Sequence, residues 1–254
     1  MVRKRNQWIV FGLLLFTNAF LALLLFVLGL QNQLTMGAEM PPELANVPAW
    51  QIGLANAGFI LVLYGLLGLL GLWFANRLDL PGVFRENAGW RNWVVIPLVV
   101  GAVVGVVIVV LDCLFTALSP TWTGFEHPPF PASIIASATA GIGEEIIFRV
   151  FVMGLWAWLF FLLLRRKGLA LWIGNWIAAL AFAAGHLPSA MQIFGVSTPA
   201  EIPVVVLVEL LLLNTFVGLV AGERYIKDGL VAAAGVHFWA DIVWHVAFPL
   251  LAGG

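Results

Sequence analysis

The chain has 254 residues, 62% of them hydrophobic and 10% charged, with a formal net charge of −1. A soluble domain carries roughly a quarter charged residues, so this composition excludes an ordinary globular protein and points to a polytopic membrane protein. The near-neutral balance names no partner, the single Cys113 rules out an internal disulfide, and no nucleic-acid motif or phosphate-cradling glycine loop is present, so no nucleic-acid partner is expected.

In chain order, hydropathy predicts an all-α bundle of seven membrane helices, at Trp8–Leu30, Trp50–Ala75, Trp93–Leu118, Pro131–Leu164, Leu169–Leu187, Ile202–Gly222 and Gly229–Ala252. The first follows a basic start, but its 23 residues exceed the ~7–15 apolar residues of a signal peptide, so it reads as an anchor. The fourth covers 34 residues. At ~1.5 Å per residue it would reach ~51 Å against a hydrocarbon layer of ~30 Å. It must tilt, project or break, and Gly154 is the possible break point.

Arginine and lysine set the orientation. They cluster at Arg3, Lys4 and Arg5, at Arg77, Arg85 and Arg91, at Arg165, Arg166 and Lys167, and at Arg224 and Lys227, while the alternate connections 31–49, 119–130 and 188–201 have none. This alternation predicts a cytoplasmic N-terminus and an outer C-terminus. Arg149 alone breaks it, inside the fourth span.

Each ionisable group in hydrocarbon costs ~2.5–3.5 kcal/mol on insertion scales, so a cluster of them is a functional candidate by default. The spans hold Asp112, Glu144, Glu145, Arg149, His186, Glu209, His237, Asp241 and His245, with Asn18, Asn56, Asn175 and Asn214 as neutral polar groups. Glu145 and Arg149 are four apart and stack on one helix face as a structural ion pair. Glu144 is rotated by ~100° and lacks that partner, which suits it to act as a general base. Against this stands a plainer reading, in which both glutamates only hold the bundle together.

Ala132, Ala136 and Ala140, and Ser133, Ser137 and Gly141, recur every four residues and read as a packing surface. His186 near a span end reads by itself as a structural histidine. His237 and Asp241 share a face, so the carboxylate either orients the imidazole or joins it on a metal. His245 continues that stripe one turn on and either extends the site or faces water near the outer surface, the second being the favoured reading.

Taken together, Glu144-Glu145-x-x-x-Arg149, Phe182-x-x-x-His186 and His237-x-x-x-Asp241 resemble, in order and on successive spans, the three motifs of the CPBP family of intramembrane proteases. That family unites type II CAAX prenyl proteases with bacterial bacteriocin-processing and immunity proteins. The resemblance covers about residues 131–252, which divides one integral membrane domain into a three-span region, 1–130, and a catalytic core, 131–254. It implies that Glu144, with His186, activates water against a peptide bond of a membrane-associated protein, prenylated CAAX-type chains among them. His237 and Asp241 would meet the developing oxyanion, and Glu145, Arg149 and Phe182 would support them.

The family commonly has asparagine where this chain has Asp241. An ionised Asp241 only accepts hydrogen bonds, so it is either protonated, or orients His237, or helps Glu144, His186 and His237 to ligate a divalent metal such as zinc; a metal-free mechanism is equally open. His186 also lies shallower than the other three, which requires either that the fifth span continue past Pro188 or that the site occupy a hydrated cavity in the outer half of the bilayer. The chain is expected in a bacterial plasma membrane. Two alternatives are a non-catalytic immunity or peptide-binding member and an ion-coupled transporter, the latter disfavoured because the polar groups have no counterpart in the first half.

Overall fold

The computed structural model describes residues 2–31, 44, 46–119 and 122–252, with side chains from residue 5 onward. Among the described residues all regular structure is helical, and seven helices are long and apolar enough to cross a membrane. The helices are α1 (Val2–Val27), α2 (Ala49–Arg77), α3 (Arg91–Leu118), α4 (Ala132–Leu164), α5 (Lys167–Gly185), α6 (Leu187–Phe194), α7 (Val204–Asp228) and α8 (Leu230–Ala252). The chain is an integral membrane protein. Its outward faces carry rows such as Val99, Val103, Val106 and Val110 on α3, all exposed, which lipid covers and water would not.

The long α4 is the hub. It packs on α1, α2, α5, α7 and α8, so its polar residues face protein on nearly every side. Small residues permit this. A Cβ on Gly141 would stand 3.1 Å from the Ala234 carbonyl oxygen of α8, so the two backbones touch there. Gly154 does not break α4. The helix runs through it unbroken, with a π-helical stretch over Ile146–Met153 just before it, and Gly154 packs against Phe74 of α2.

The first span lies earlier than expected, its helix running Val2–Val27, and two later boundaries also move. The fifth continues beyond Leu187, because Pro188 falls in the first turn of α6, where a missing N–H breaks no helical bond. The sixth runs on to Asp228, past Gly222, because its charged end is paired: Arg224 with Asp228 and Lys227 with Glu223, each one turn apart. Arg85 (3.5 Å from Asp228), Asn92 (3.1 Å from the same carboxylate) and Gln7, which bonds the backbone of Val83 and Phe84, tie this end together. The basic residues thus gather at one end of the bundle. A hollow of about 820 Å³ at that end, between Trp8, Trp73 and Phe84, holds no histidine.

Candidate active site

The structure brings Glu144, His186, His237 and Asp241 to the wall of one cavity of about 240 Å³, away from the basic end. α4 supplies Glu144 through its small-residue face; α5 and α6 meet at His186; α8 supplies His237 and Asp241 one turn apart. Two of the three motif-bearing helices, α4 and α8, switch to π-helical winding directly after their carboxylates, at Ile146–Met153 after Glu145 and at Ile242–Ala247 after Asp241; α2 and α3 have such stretches too, at Ile60–Tyr64 and Arg91–Val95. Such insertions widen one turn and re-aim the side chains around it, and they recur at functional sites.

The two glutamates separate as their spacing predicts. Glu145 is fully buried and its Oε2 lies 3.2 Å from Nε of the equally buried Arg149. Glu144 keeps a side-chain exposure of 34% and faces the cavity. Glu145 also has a second task that spacing along the chain does not reveal. His237 Nδ1 donates to its Oε1 at 2.9 Å. A carboxylate accepting from one ring nitrogen fixes the imidazole's rotation and leaves the other nitrogen free for chemistry. His237 Nε2 then faces Asp241 at 3.6 Å and Glu144 at 3.9 Å. Glu145 thus holds the ring at Nδ1, and Asp241 lies on its Nε2 side.

His186 Nδ1 lies 2.9 Å from the Phe182 carbonyl. A carbonyl only accepts, so Nδ1 carries the hydrogen and Nε2 is the acceptor. Phe182 is the shared platform. Its ring makes edge contacts with His186 and His237, at centroid distances of 4.9 and 5.4 Å, and the Arg149 guanidinium lies over it at 4.7 Å. Among the described residues no hydrogen bond or ion pair joins Glu144 to His186; what they share is the cavity.

The small-residue stripes divide their labour. Gly141 packs helix on helix, whereas Ser133, Ala136, Ser137 and Ala140 line the cavity and make room for it. His245 does not face water at the surface. It lines the cavity, and its Nδ1 pairs with Nδ1 of His127 at 2.9 Å. His127 belongs to a strap, residues 122–130, that crosses the cavity's mouth with Phe125, Glu126 and Pro128 in its wall. A second tie holds the strap. Trp122 Nε1 donates to Glu209 Oε2 at 2.7 Å, and Glu209 stands within hydrogen-bonding reach of Asp112. Burial lowers the His127 pKa, with the nearby Asp112 charge opposing, so the ring at the strap is held neutral. No sequence signal singled out His127, which lies in an aperiodic connection; its partner is 118 positions away.

The neutral amides are structural. Asn175 donates to the Leu219 carbonyl at 3.0 Å, joining α5 to α7, and Asn214 donates to the Leu210 carbonyl at 2.8 Å beside the cavity. Among the described residues no three His, Cys, Asp or Glu side chains stand together as ligands for a metal ion.

Residues 126–243 match the family model described as type II CAAX prenyl endopeptidase, Rce1-like. The matched segment starts in the strap and ends just beyond Asp241, so it contains Glu144, His186, His237 and Asp241. No curated protein and no solved structure matches the chain.

Proposed function

Because this chain belongs, through residues 126–243, to the family of Rce1-like type II CAAX prenyl endopeptidases, we propose that it is an intramembrane endopeptidase in which Glu144 activates the attacking water. The observation that carries this reading is the environment of His237: Nδ1 held by buried Glu145, Nε2 turned toward Glu144 and Asp241, in a cavity shared with His186.

The steps balance as follows. A water between Glu144 and His186 Nε2 gives a proton to the Glu144 carboxylate as its oxygen bonds to the scissile carbonyl carbon. The carbonyl oxygen becomes an oxyanion and is met by N–H at His237 Nε2. That donor requires the ring's second proton, whose charge Glu145 and Asp241 balance. When the intermediate collapses, the C–N bond breaks and the proton on Glu144 passes to the leaving nitrogen. Glu144 is then ready for another turn. A positioned base contributes ~10²–10⁴-fold and one oxyanion donor ~10²–10³-fold, which ranks Glu144 and His237 above Asp241 and His186.

The substrate is a membrane-associated peptide or protein, with a prenylated CAAX-type chain as one form of it. At about 240 Å³ the cavity is smaller than the ~300–1,000 Å³ of ordinary ligand pockets, so it seats the residues beside one peptide bond while any lipid tail stays in the bilayer. On the positive-inside rule the basic end is cytoplasmic and the cavity lies in the outer half of the membrane, which this reading takes to be a bacterial plasma membrane. The test is cleavage of a membrane-anchored peptide by the purified chain, with Glu144→Gln and Glu145→Gln compared and metal content measured on the same preparation. Loss on Glu144→Gln with no stoichiometric metal supports the water-and-carboxylate mechanism. Cleavage that persists in Glu144→Gln removes Glu144 from it.

A further inference from the structure

Of the two adjacent glutamates only one is held in place. Glu145 is gripped at Oε1 by His237 and at Oε2 by Arg149. Glu144 receives no hydrogen bond among the described residues, and the imidazole facing it stands 3.9 Å away. A general base needs a fixed aim, because it must lie within hydrogen-bond reach of the proton it takes. The groups behind Glu144 come from α1 and α2, outside the segment that matches the family model.

Gly143, the residue before Glu144, is where both arrive. A Cβ there would stand 2.7 Å from Asn18 Nδ2 and 2.9 Å from Tyr64 Cε2, closer than real side chains come, so glycine is what admits them. Elsewhere these helices meet through apolar atoms and backbone: Gly68 of α2 faces Phe11 and Ile146, and Gly71 lies on the Val150 backbone. The approach becomes polar at the turn that carries the base. Asn18 is buried and its Oδ1 has no partner among the described residues, a costly state that calls for a reason. Tyr64 is half-buried, ends the π-helical stretch of α2 and lies within range of the Glu144 charge. A π-helical turn re-aims the side chains around it. Neither side chain lines the cavity, so both reach the base from behind.

Resting on the endopeptidase reading above, we propose that Tyr64 is a positioning residue for the base. Its phenol O–H turns toward the ionised Glu144 carboxylate from behind and keeps that carboxylate aimed at the cavity, while Asn18 fixes the ring at the Gly143 approach. A phenol suits this place. It is a neutral donor, so it steadies a carboxylate without pairing it off as Arg149 does Glu145, and its O–H rotates as Glu144 takes and returns its proton. Tyr64 acts through Glu144 and meets no reacting atom itself.

The sequence has two tyrosines, Tyr64 and Tyr225, the second fully buried on α7, which makes the link observable without any substrate. The full chain labelled with 3-fluorotyrosine, in detergent, gives one fluorine resonance for each, and Tyr64→Phe identifies its own by removing it. Glu144→Gln should move the Tyr64 resonance and leave that of Tyr225 in place. In cleavage of a membrane-anchored peptide, Tyr64→Phe keeps the ring and its edge contact with Phe59. It should therefore lower kcat about tenfold, the worth of one hydrogen bond, at unchanged KM and unfolding temperature. An unmoved Tyr64 resonance, or native kcat in Tyr64→Phe, would overturn the positioning role while leaving the protease reading intact. So would a loss of rate matched by a fall in unfolding temperature, which is a packing effect. A resonance that moves in Glu144→Gln while the native chain cuts no peptide would sink the hydrolase and leave the link from Tyr64 to Glu144 standing.

Discussion

Two groups of acids are buried in this membrane protein, and they are handled in opposite ways. Around His237, the carboxylates of Glu144, Glu145 and Asp241 are gathered with a buried arginine and an imidazole, and one of them, Glu144, is left half open to a cavity. Between α3 and α7, Asp112 and Glu209 lie against each other with no ion pair to a cation among the described residues, closed off from the cavity and capped by the indole N–H of Trp122. Two carboxyl groups in such contact need a hydrogen between them to bond each other, because an ionised carboxylate can only accept. The first arrangement keeps charge and water available for chemistry. The second is closed off and keeps a strap in place. An acid inside a bilayer is thus read from its partners rather than from its presence.

The comparison can be broken at each centre. Arg149→Met should have the largest effect on stability. It leaves Glu145 buried and uncompensated, and removing one partner of a buried pair costs about 3–5 kcal/mol. Thermal unfolding in detergent should show this, and pairing it with Glu145→Gln should recover part of the loss. Trp122→Phe comes next. It keeps the aromatic packing but strands Glu209 Oε2, at a cost of about 1–3 kcal/mol, with faster hydrogen exchange in 122–130 as the local sign. Smaller again is the joint change Asp112→Asn with Glu209→Gln. Amides supply the hydrogen that the acid pair shares, so stability should move by less than about 1 kcal/mol; a collapse comparable with that of Arg149→Met would show that this pair carries charge after all.

The smallest effect is that of acid on the strap. His127 has its pKa lowered in the fold, so the unfolded chain binds more protons than the native one as pH drops below the ordinary histidine value. The stability it contributes is complete above about pH 6.5 and is lost as pH falls toward the lowered value. Hydrogen exchange in 122–130 should therefore quicken from pH 7.5 to pH 5.5, and His127→Gln should flatten that dependence.

The helices and the first half of the site were legible because their signals are local. Hydropathy finds each span, arginine and lysine mark alternate connections, and a four-residue spacing pairs Glu145 with Arg149. What escaped depends on contacts between distant segments. The bond from His237 to Glu145 crosses 92 positions, and the ends of the fifth and sixth spans turn on a proline in a fresh first turn and on ion pairs at a helix end. His245 looked surface-bound because its partner His127 lies in a connection with no period to read. Small residues on α4 carry the same ambiguity: alanine and serine suit close packing and a cavity wall equally, and only the neighbouring helix decides.

The most direct measurement sets the two acid centres side by side in one assay, cleavage of a membrane-embedded peptide by Glu144→Gln and by the double variant Asp112→Asn, Glu209→Gln. The account predicts that the first loses about 10²–10⁴-fold in rate with its fold intact while the second still cuts. Cleavage by Glu144→Gln at the native rate, or an equal loss in both, would contradict it.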